Sequence, residues 1–139
     1  MATYQKFNPF VEKLVEKAHN LGSDQLKIAL TNTAPVAANG VYADLTAPLA
    51  TTNLSGATPF NVTTTSSAQT SGTYKLVLAD LVLTATGSVG PFRYVVLYND
   101  TATNDELIGF FDYGSSITLL AGETFTVNFD GTEGVLQLA

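Results

Sequence analysis

Residues 90–114, GPFRYVVLYNDTATNDELIGFFDYG, decide the fold, because they hold six of the chain's fourteen aromatic residues and its only arginine, Arg93. In FRYVVLY the side chains alternate, so that Phe92 and Tyr94 point away from Arg93. This period of two is typical of a β-strand, and the turn-rich NDTATND separates it from a second strand, ELIGFFDYG. The pattern predicts a β-hairpin, and a platform of aromatic rings for a ligand is the alternative interpretation.

The period of two extends on both sides of this hairpin. QLKIALT predicts a half-buried strand near residues 25–31, and TYKLVLADLVLTATG predicts a strand over 73–85 with a bulge or bend near Ala79–Asp80. NVTTTSSAQTSG predicts a polar strand and turn, and SITLL, TFTVNF and VLQLA predict further short strands. The expected fold is mainly β: one domain over residues 1–139, built as an antiparallel sandwich, a jelly-roll-like fold or a small barrel.

One helix precedes the strands, over about residues 9–20. Asn8 can cap it, Pro9 suits the first turn, and Gly22 suits the turn that ends it. His19 is expected near its C-terminus, in solvent, where positive charge suits the helix dipole. The apolar stripe lies on one face and predicts packing against a sheet or a neighbouring subunit; its members are Phe10, Leu14, Val15 and Ala18.

The segment 32–61 is too long for an ordinary connection, and such segments are usually functional or disordered. It contains three prolines, one acid and no base. Its larger apolar side chains indicate an ordered arm that packs on its own domain or on a neighbour. The residues predicted to contact a partner or another subunit are Val36, Val41, Tyr42, Leu45, Leu49 and Leu54.

Charged residues make up only 13% of the chain, which suits a surface that contacts partners. Residues 1–27 have a net charge of +1 and the remainder has a net charge of −7. An acidic body repels phosphate, so nucleic-acid binding is not expected. No apolar run approaches the ~20 residues of a membrane span, and MATYQKFNPF lacks the apolar core of a signal peptide. Synthesis in a cytoplasm without export is therefore expected.

The residue types needed for catalysis are scarce. The chain has one histidine and no cysteine, so zinc sites and catalytic triads have little material. We therefore predict no enzymatic activity, no cofactor and no metal, although two carboxylates from distant strands could still meet. The oxygen-rich residues of NDTATNDE, from Asn99 to Glu106, leave calcium binding open. An ordinary turn is the other interpretation, since the spacing is not that of an EF-hand.

Two blocks, LKIALTNTAPV at residues 26–36 and GPFRYVVLYND at residues 90–100, carry a resemblance to small virion proteins encoded among the head genes of tailed bacteriophages. The resemblance covers nearly the whole chain and rests on no catalytic signature. It implies a decoration (cement) protein that binds the outside of the major capsid shell and self-associates as a homotrimer. The implied location is the capsid surface of the virion, after synthesis in the bacterial cytoplasm. A tail, collar or fibre protein that binds a receptor or carbohydrate is the alternative.

Overall fold

The structure is a computed structural model that describes residues 2–139. Within that range the chain forms ten β-strands and one α-helix. The chain is mainly strand, and its sheets are antiparallel, so the predicted antiparallel β-fold with one N-terminal helix is confirmed. The sheets share one hydrophobic core in a sandwich-like arrangement. In chain order the elements are β1 (Thr3–Lys6), α1 (Asn8–Val15), β2 (Leu26–Thr31), β3 (Asn61–Val62), β4 (Thr64–Thr70), β5 (Thr73–Leu78), β6 (Leu81–Thr84), β7 (Val89–Asn99), β8 (Leu107–Leu119), β9 (Thr124–Val127) and β10 (Leu136–Leu138).

The hairpin predicted at residues 90–114 is the centre of a five-stranded sheet with the order β1-β8-β7-β2-β3. Val95 lies opposite Phe111, and Val96 lies opposite Phe110. Side chains that are paired in this way share one face of the sheet and pack against each other. The hairpin prediction is therefore confirmed. The second strand is longer than predicted, because SITLL continues β8 after an irregularity in the pairing with β7.

Both faces of the central sheet are covered by aromatic side chains from other elements. On one face Phe7 packs on Phe110, with ring centroids 5.1 Å apart. On the other, Phe129 packs on Phe111 at 5.8 Å. Strand β2, on the other side of β7, is also buried along nearly its whole length, including Ala29. The prediction of a half-buried strand is wrong, because β2 lies inside the sheet with packed side chains on both of its faces.

Two small sheets complete the fold, with the orders β10-β5-β4 and β6-β9. The alternation of residues 73–85 is disturbed at Ala79–Asp80, where β5 ends and β6 begins in a different sheet. The prediction of a single strand over 73–85 is therefore wrong, although the break lies at Ala79–Asp80, where a bulge or bend was predicted. Asp80 fixes the break, since its Oδ1 accepts a hydrogen bond from the Phe129 amide at 2.8 Å.

Strand β1 was not predicted, because TYQK carries one apolar side chain and lies near the chain terminus. It pairs with β8 along the edge of the five-stranded sheet. The Tyr4 ring packs 4.9 Å from that of Phe111 and passes over Gly109. A side chain at Gly109 would meet the Tyr4 ring and would lie 2.8 Å from the Gln5 carbonyl oxygen. Glycine is therefore needed there for the close approach of two strands.

The helix is shorter than predicted, ending at Val15 instead of near residue 20. Lys17 takes a left-handed conformation with φ of 69°, and the Ala18 amide donates to the Lys13 carbonyl at 2.9 Å. This pattern is the Schellman turn that usually employs glycine, so Lys17 and not Gly22 ends the helix. Asn8 does not cap the helix with its side chain; the N-cap is Phe7.

Candidate functional site

The six predicted contact residues of segment 32–61 differ widely in exposure. Val36 is 58% exposed, whereas Leu54 is 6% exposed and belongs to the core. The other four are half-buried, and three of them pack on the core: Tyr42, Leu45 and Leu49. Of the two alternatives, packing on its own domain therefore describes most of this arm. Contact of its exposed parts with a partner stays a prediction.

The arm covers the part of the β2 edge that the short strand β3 leaves unpaired, beyond Lys27. The Leu49 amide donates to the Leu30 carbonyl at 2.8 Å, and the Thr31 hydroxyl donates to the Thr46 carbonyl at 2.7 Å. Covering a strand edge in this way satisfies its backbone groups and prevents pairing with another chain. The arm therefore has a structural role that its length and composition alone did not indicate.

A cleft of about 360 Å³ remains between the arm and the sheet. Its floor contains Asn61, Lys27 and Tyr98 from the paired strands β3, β2 and β7, and its wall contains Tyr42 and Phe60 from the arm. We call it the tyrosine cleft, because the Tyr42 and Tyr98 rings lie 4.9 Å apart at an angle of 51°. Burial raises the pKa of Tyr98 to about 12, so its hydroxyl is protonated at neutral pH. Lys27, Phe60 and Asn61 were not predicted as site residues, because only the strand register brings them beside Tyr98.

A second feature is an apolar surface around α1, which we call the helix surface and define by Val11, Leu14, Val15 and Leu138. Val15 is 83% exposed and Val11 is 48% exposed, one helical turn apart. Leu14 and the half-exposed Leu138 line a depression of about 340 Å³ beside them. Of the predicted stripe, Phe10 and Leu14 pack on the core, whereas Val15 does not, because Val11 and Val15 lie about 100° around the helix from that pair. Contact of Val15 with a neighbouring subunit stays a prediction.

The oxygen-rich loop from Asn99 to Glu106 uses its polar groups within the protein. The Asn99 side chain is fully buried, and its Oδ1 accepts hydrogen bonds from the Thr101 and Ala102 amides at 3.0 and 3.1 Å. The buried Glu106 carboxylate accepts from the Asn104 amide at 3.2 Å. Within residues 2–139 no group of three or more histidine or acidic side chains has the arrangement of a metal site. The geometry is that of a hydrogen-bonded turn.

His19 is buried, so its predicted position in solvent is wrong. The Phe10 ring packs edge-on against its imidazole, with centroids 5.1 Å apart. Because the Asn99 Oδ1 atom accepts two amide protons, its Nδ2 must face His19 Nδ1 at 3.1 Å and Asp24 Oδ2 at 2.7 Å. Nδ1 is then the acceptor, which defines a neutral imidazole that carries its proton on Nε2. Burial lowers the pKa of His19, although the Glu106 and Asp24 carboxylates oppose that shift.

We expect the free energy of unfolding to decrease as the pH falls below 6.5, the ordinary pKa of histidine. The folded-state pKa of His19 is lower than this, so the unfolded chain binds the proton first and is favoured. The decrease in the free energy of unfolding should level off once the pH is below the pKa of His19 in the folded protein. As His19 is the only histidine, an NMR titration of its ring measures that pKa directly. An equal slope of stability against pH from 7.5 to 5.5 in wild type and His19→Gln would contradict this assignment.

The single arginine is paired within the sheet. Arg93 Nε lies 2.8 Å from Asp112 Oδ1, and Nη2 lies 3.1 Å from Oδ2, a two-pronged contact. Hydrogen bonds from Arg93 and from the Gly114 amide lower the pKa of Asp112. The guanidinium also lies 5.3 Å from the centre of the Tyr94 ring, so the prediction that Tyr94 points away from Arg93 is wrong. The pairing of β7 with β8 shifts register between Phe92 and Tyr94, which disturbs the strict alternation there. Arg93 therefore links β7 to β8, as a hairpin requires.

Two further observations bear on function. None of the helices formed by residues 2–139 has the length and apolar character required to span a membrane. Comparison with family models, curated proteins and solved structures gives no match. The candidate sites are therefore argued from geometry, and they are the helix surface and the tyrosine cleft.

Proposed function

We propose that this chain is a structural protein of a tailed-bacteriophage virion, which binds the outside of the major capsid shell and stabilises it without catalysis. The sequence resemblance described above supports the proposal. Its two blocks correspond to β2 and β7, which are adjacent at the centre of the fold. No cofactor, nucleic acid or membrane is part of this proposal.

The observation that carries the proposal is the helix surface. Val11 and Val15 form an exposed apolar pair, and the surrounding N-terminal segment has a net charge of +1 in an otherwise acidic protein. Exposed apolar clusters of this kind are typical of protein contacts. Against an acidic capsid surface, a neutral-to-basic contact region would also direct the acidic remainder away from the bound partner.

The proposed assembly is a homotrimer on the local threefold positions of the shell. A homotrimer matches the symmetry of a site where three capsid subunits meet, with three copies of one contact. Linking three weak contacts raises the overall avidity by ~10²–10⁴, because later contacts are effectively intramolecular. The bound protein then stabilises the shell by mass action, since it binds the intact lattice in preference to free subunits.

We expect the double change Val11→Asp and Val15→Asp to weaken capsid binding by at least about tenfold. Two carboxylates would have to lose their hydration in the contact, at a cost of more than ~1.4 kcal/mol. Co-sedimentation with decoration-free shells measures the change. Val82→Asp is the matched control, since Val82 is 58% exposed on β6, outside the helix surface. Equal binding by both variants would exclude the helix surface as the contact.

Particle imaging separates the head assignment from the appendage alternative. Density for this chain on the capsid, together with greater survival of decorated particles under heat, is the expected result. Sedimentation of the purified protein should give the mass of three subunits. Density confined to a tail or fibre, or equal fragility of particles with and without the protein, would contradict the decoration proposal.

A further inference from the structure

The tyrosine cleft has a floor built from three paired strands. Asn61 of β3 lies opposite Lys27 of β2, and Lys27 lies opposite Tyr98 of β7. Residues that are directly opposed across antiparallel strands project from the same face. At a strand spacing of about 5 Å, the row of three is about 10 Å long. The arm closes one side with Tyr42, so the site is a short trough open to solvent.

The aromatic part of the cleft suits a ligand with apolar C–H groups. The tilted Tyr42 and Tyr98 rings form a corner, and Phe60 adds a third aromatic side chain. The faces of aromatic rings are electron-rich and attract the weakly positive hydrogens of a C–H surface. A pyranose ring has such a surface on at least one of its two sides.

The polar part of the cleft suits hydroxyl groups. Asn61 lines the cleft, and its Oδ1 atom is buried and makes no hydrogen bond with any residue from 2 to 139. A rotation of the side-chain amide toward the cleft would let Oδ1 accept a hydrogen bond from a ligand. Leaving a buried acceptor unpaired is unfavourable, and a bound hydroxyl would relieve that cost. Lys27 is held with its Nζ 3.1 Å from Asp100 Oδ2, and an ammonium group has three protons to donate.

The charge balance favours a neutral ligand. Asp100 already neutralises Lys27, and Asp105 joins the wall through a 3.0 Å hydrogen bond from the Tyr42 amide to its carbonyl. The remainder of the protein is acidic, which disfavours phosphorylated or carboxylated compounds. A volume of about 360 Å³ is near the lower end of the ~300–1,000 Å³ of small-molecule sites.

From these observations we propose that the tyrosine cleft binds a neutral saccharide of one or two rings. The C–H face of the sugar packs on Tyr42 and Tyr98, and its hydroxyls bond with Lys27 and Asn61. The cleft is separate from the helix surface, so this binding does not depend on the proposed capsid contact. A virion protein with both surfaces would hold the particle and a glycan at the same time.

The test is an NMR titration of the ¹⁵N-labelled protein with glucose, galactose, mannose, rhamnose, N-acetylglucosamine and their common disaccharides. We expect at least one sugar to bind with a dissociation constant on the order of a millimolar, since so small a ligand makes few contacts. The amide shifts should concentrate at Lys27, Ile28, Phe60 and Asn61. Glucuronic acid and glucose 6-phosphate serve as anionic probes, and we expect both to bind more weakly.

Matched substitutions locate the binding. Tyr42→Ala should weaken it by about fivefold and Lys27→Met by about tenfold, through the loss of ring packing and of a charged donor. Tyr74→Ala and Lys75→Met are the controls, because they change a half-buried tyrosine and an ion-paired lysine on β5. We expect both controls to bind like wild type. The proposal is overturned if no sugar shifts the cleft amides, if the anionic probes bind best, or if controls and cleft variants lose affinity equally.

Discussion

Replacing Phe92 with alanine is expected to lower the free energy of unfolding by about 3–5 kcal/mol, the usual cost of deleting a buried aromatic side chain. Phe92 is fully buried, and its ring meets that of Phe125 nearly edge-on, with centroids 5.2 Å apart and an angle of 82°. Phe125 belongs to β9, so this contact joins the small β6-β9 sheet to the central hairpin. The substitution would remove both the packing within the hairpin and that link.

Urea denaturation followed by circular dichroism measures this loss. Total stabilities of domains are about 5–15 kcal/mol, so the variant should have a much lower midpoint or be unfolded at room temperature. Phe92→Leu keeps most of the side-chain volume and should retain enough stability to give a complete curve. The control is Val82→Ala on the exposed face of β6, expected to change stability by no more than about 0.5 kcal/mol. A loss below 1 kcal/mol for Phe92→Ala would mean that this aromatic residue is not a core residue.

The hairpin could be predicted because its physical cause is local. Alternating aromatic and β-branched residues on both sides of an Asn- and Asp-rich turn favour two paired strands whatever surrounds them. The burial of β2 on both faces depends instead on which elements cover it. That information lies in other parts of the chain, such as β7, which pairs with β2, and Leu49 of the arm, which bonds to its edge. No pattern within QLKIALT contains it.

The errors at the helix and at β1 also have physical causes. Lys17 adopts a conformation that usually favours glycine, and Gly22 is available nearby, so local preference indicated the wrong end of α1. Strand β1 is held by its pairing with β8 and by Tyr4 above Gly109, which are contacts across a hundred residues. Such long-range contacts override weak local propensity.

The candidate sites were harder to predict than the fold. The apolar content of segment 32–61 correctly indicated order, yet it could not distinguish packing on β2 from packing on a partner. The row of Asn61, Lys27 and Tyr98 exists only through strand register, which a shift of one residue would destroy. The burial of His19 likewise depends on Asn99, which is eighty residues away in the sequence.

Asn99 is the residue for which we expect the largest loss from removing a polar side chain. The Asn99 side chain is fully buried. Its Oδ1 accepts hydrogen bonds from the Thr101 and Ala102 amides, and its Nδ2 donates to Asp24 and His19. Asn99→Ala would leave these groups without their partners at the junction of β7 and its loop. An unpaired buried polar group costs about 1–3 kcal/mol. Thr101 is exposed, so its amide can donate to water instead, which reduces the cost. We therefore expect the free energy of unfolding to fall by about 2–4 kcal/mol in total, measured by urea denaturation at pH 7.

Two further variants separate the parts of this network. Asn104→Ala is the matched control, because Asn104 is an exposed asparagine of the same loop whose side chain makes one 3.4 Å hydrogen bond, and its loss should be within about 0.5 kcal/mol. In Asn99→Asp, one oxygen still accepts from the Thr101 and Ala102 amides. The other oxygen replaces Nδ2, which in the wild type lies 2.7 Å from Asp24 Oδ2, so two carboxylates face each other. The free energy of unfolding of Asn99→Asp should be furthest below that of the wild type at pH 7. The difference should shrink in acid, because protonation of one carboxylate removes the repulsion. If Asn99→Ala were as mild as Asn104→Ala, or the deficit of Asn99→Asp were independent of pH, the network would not hold the loop as described.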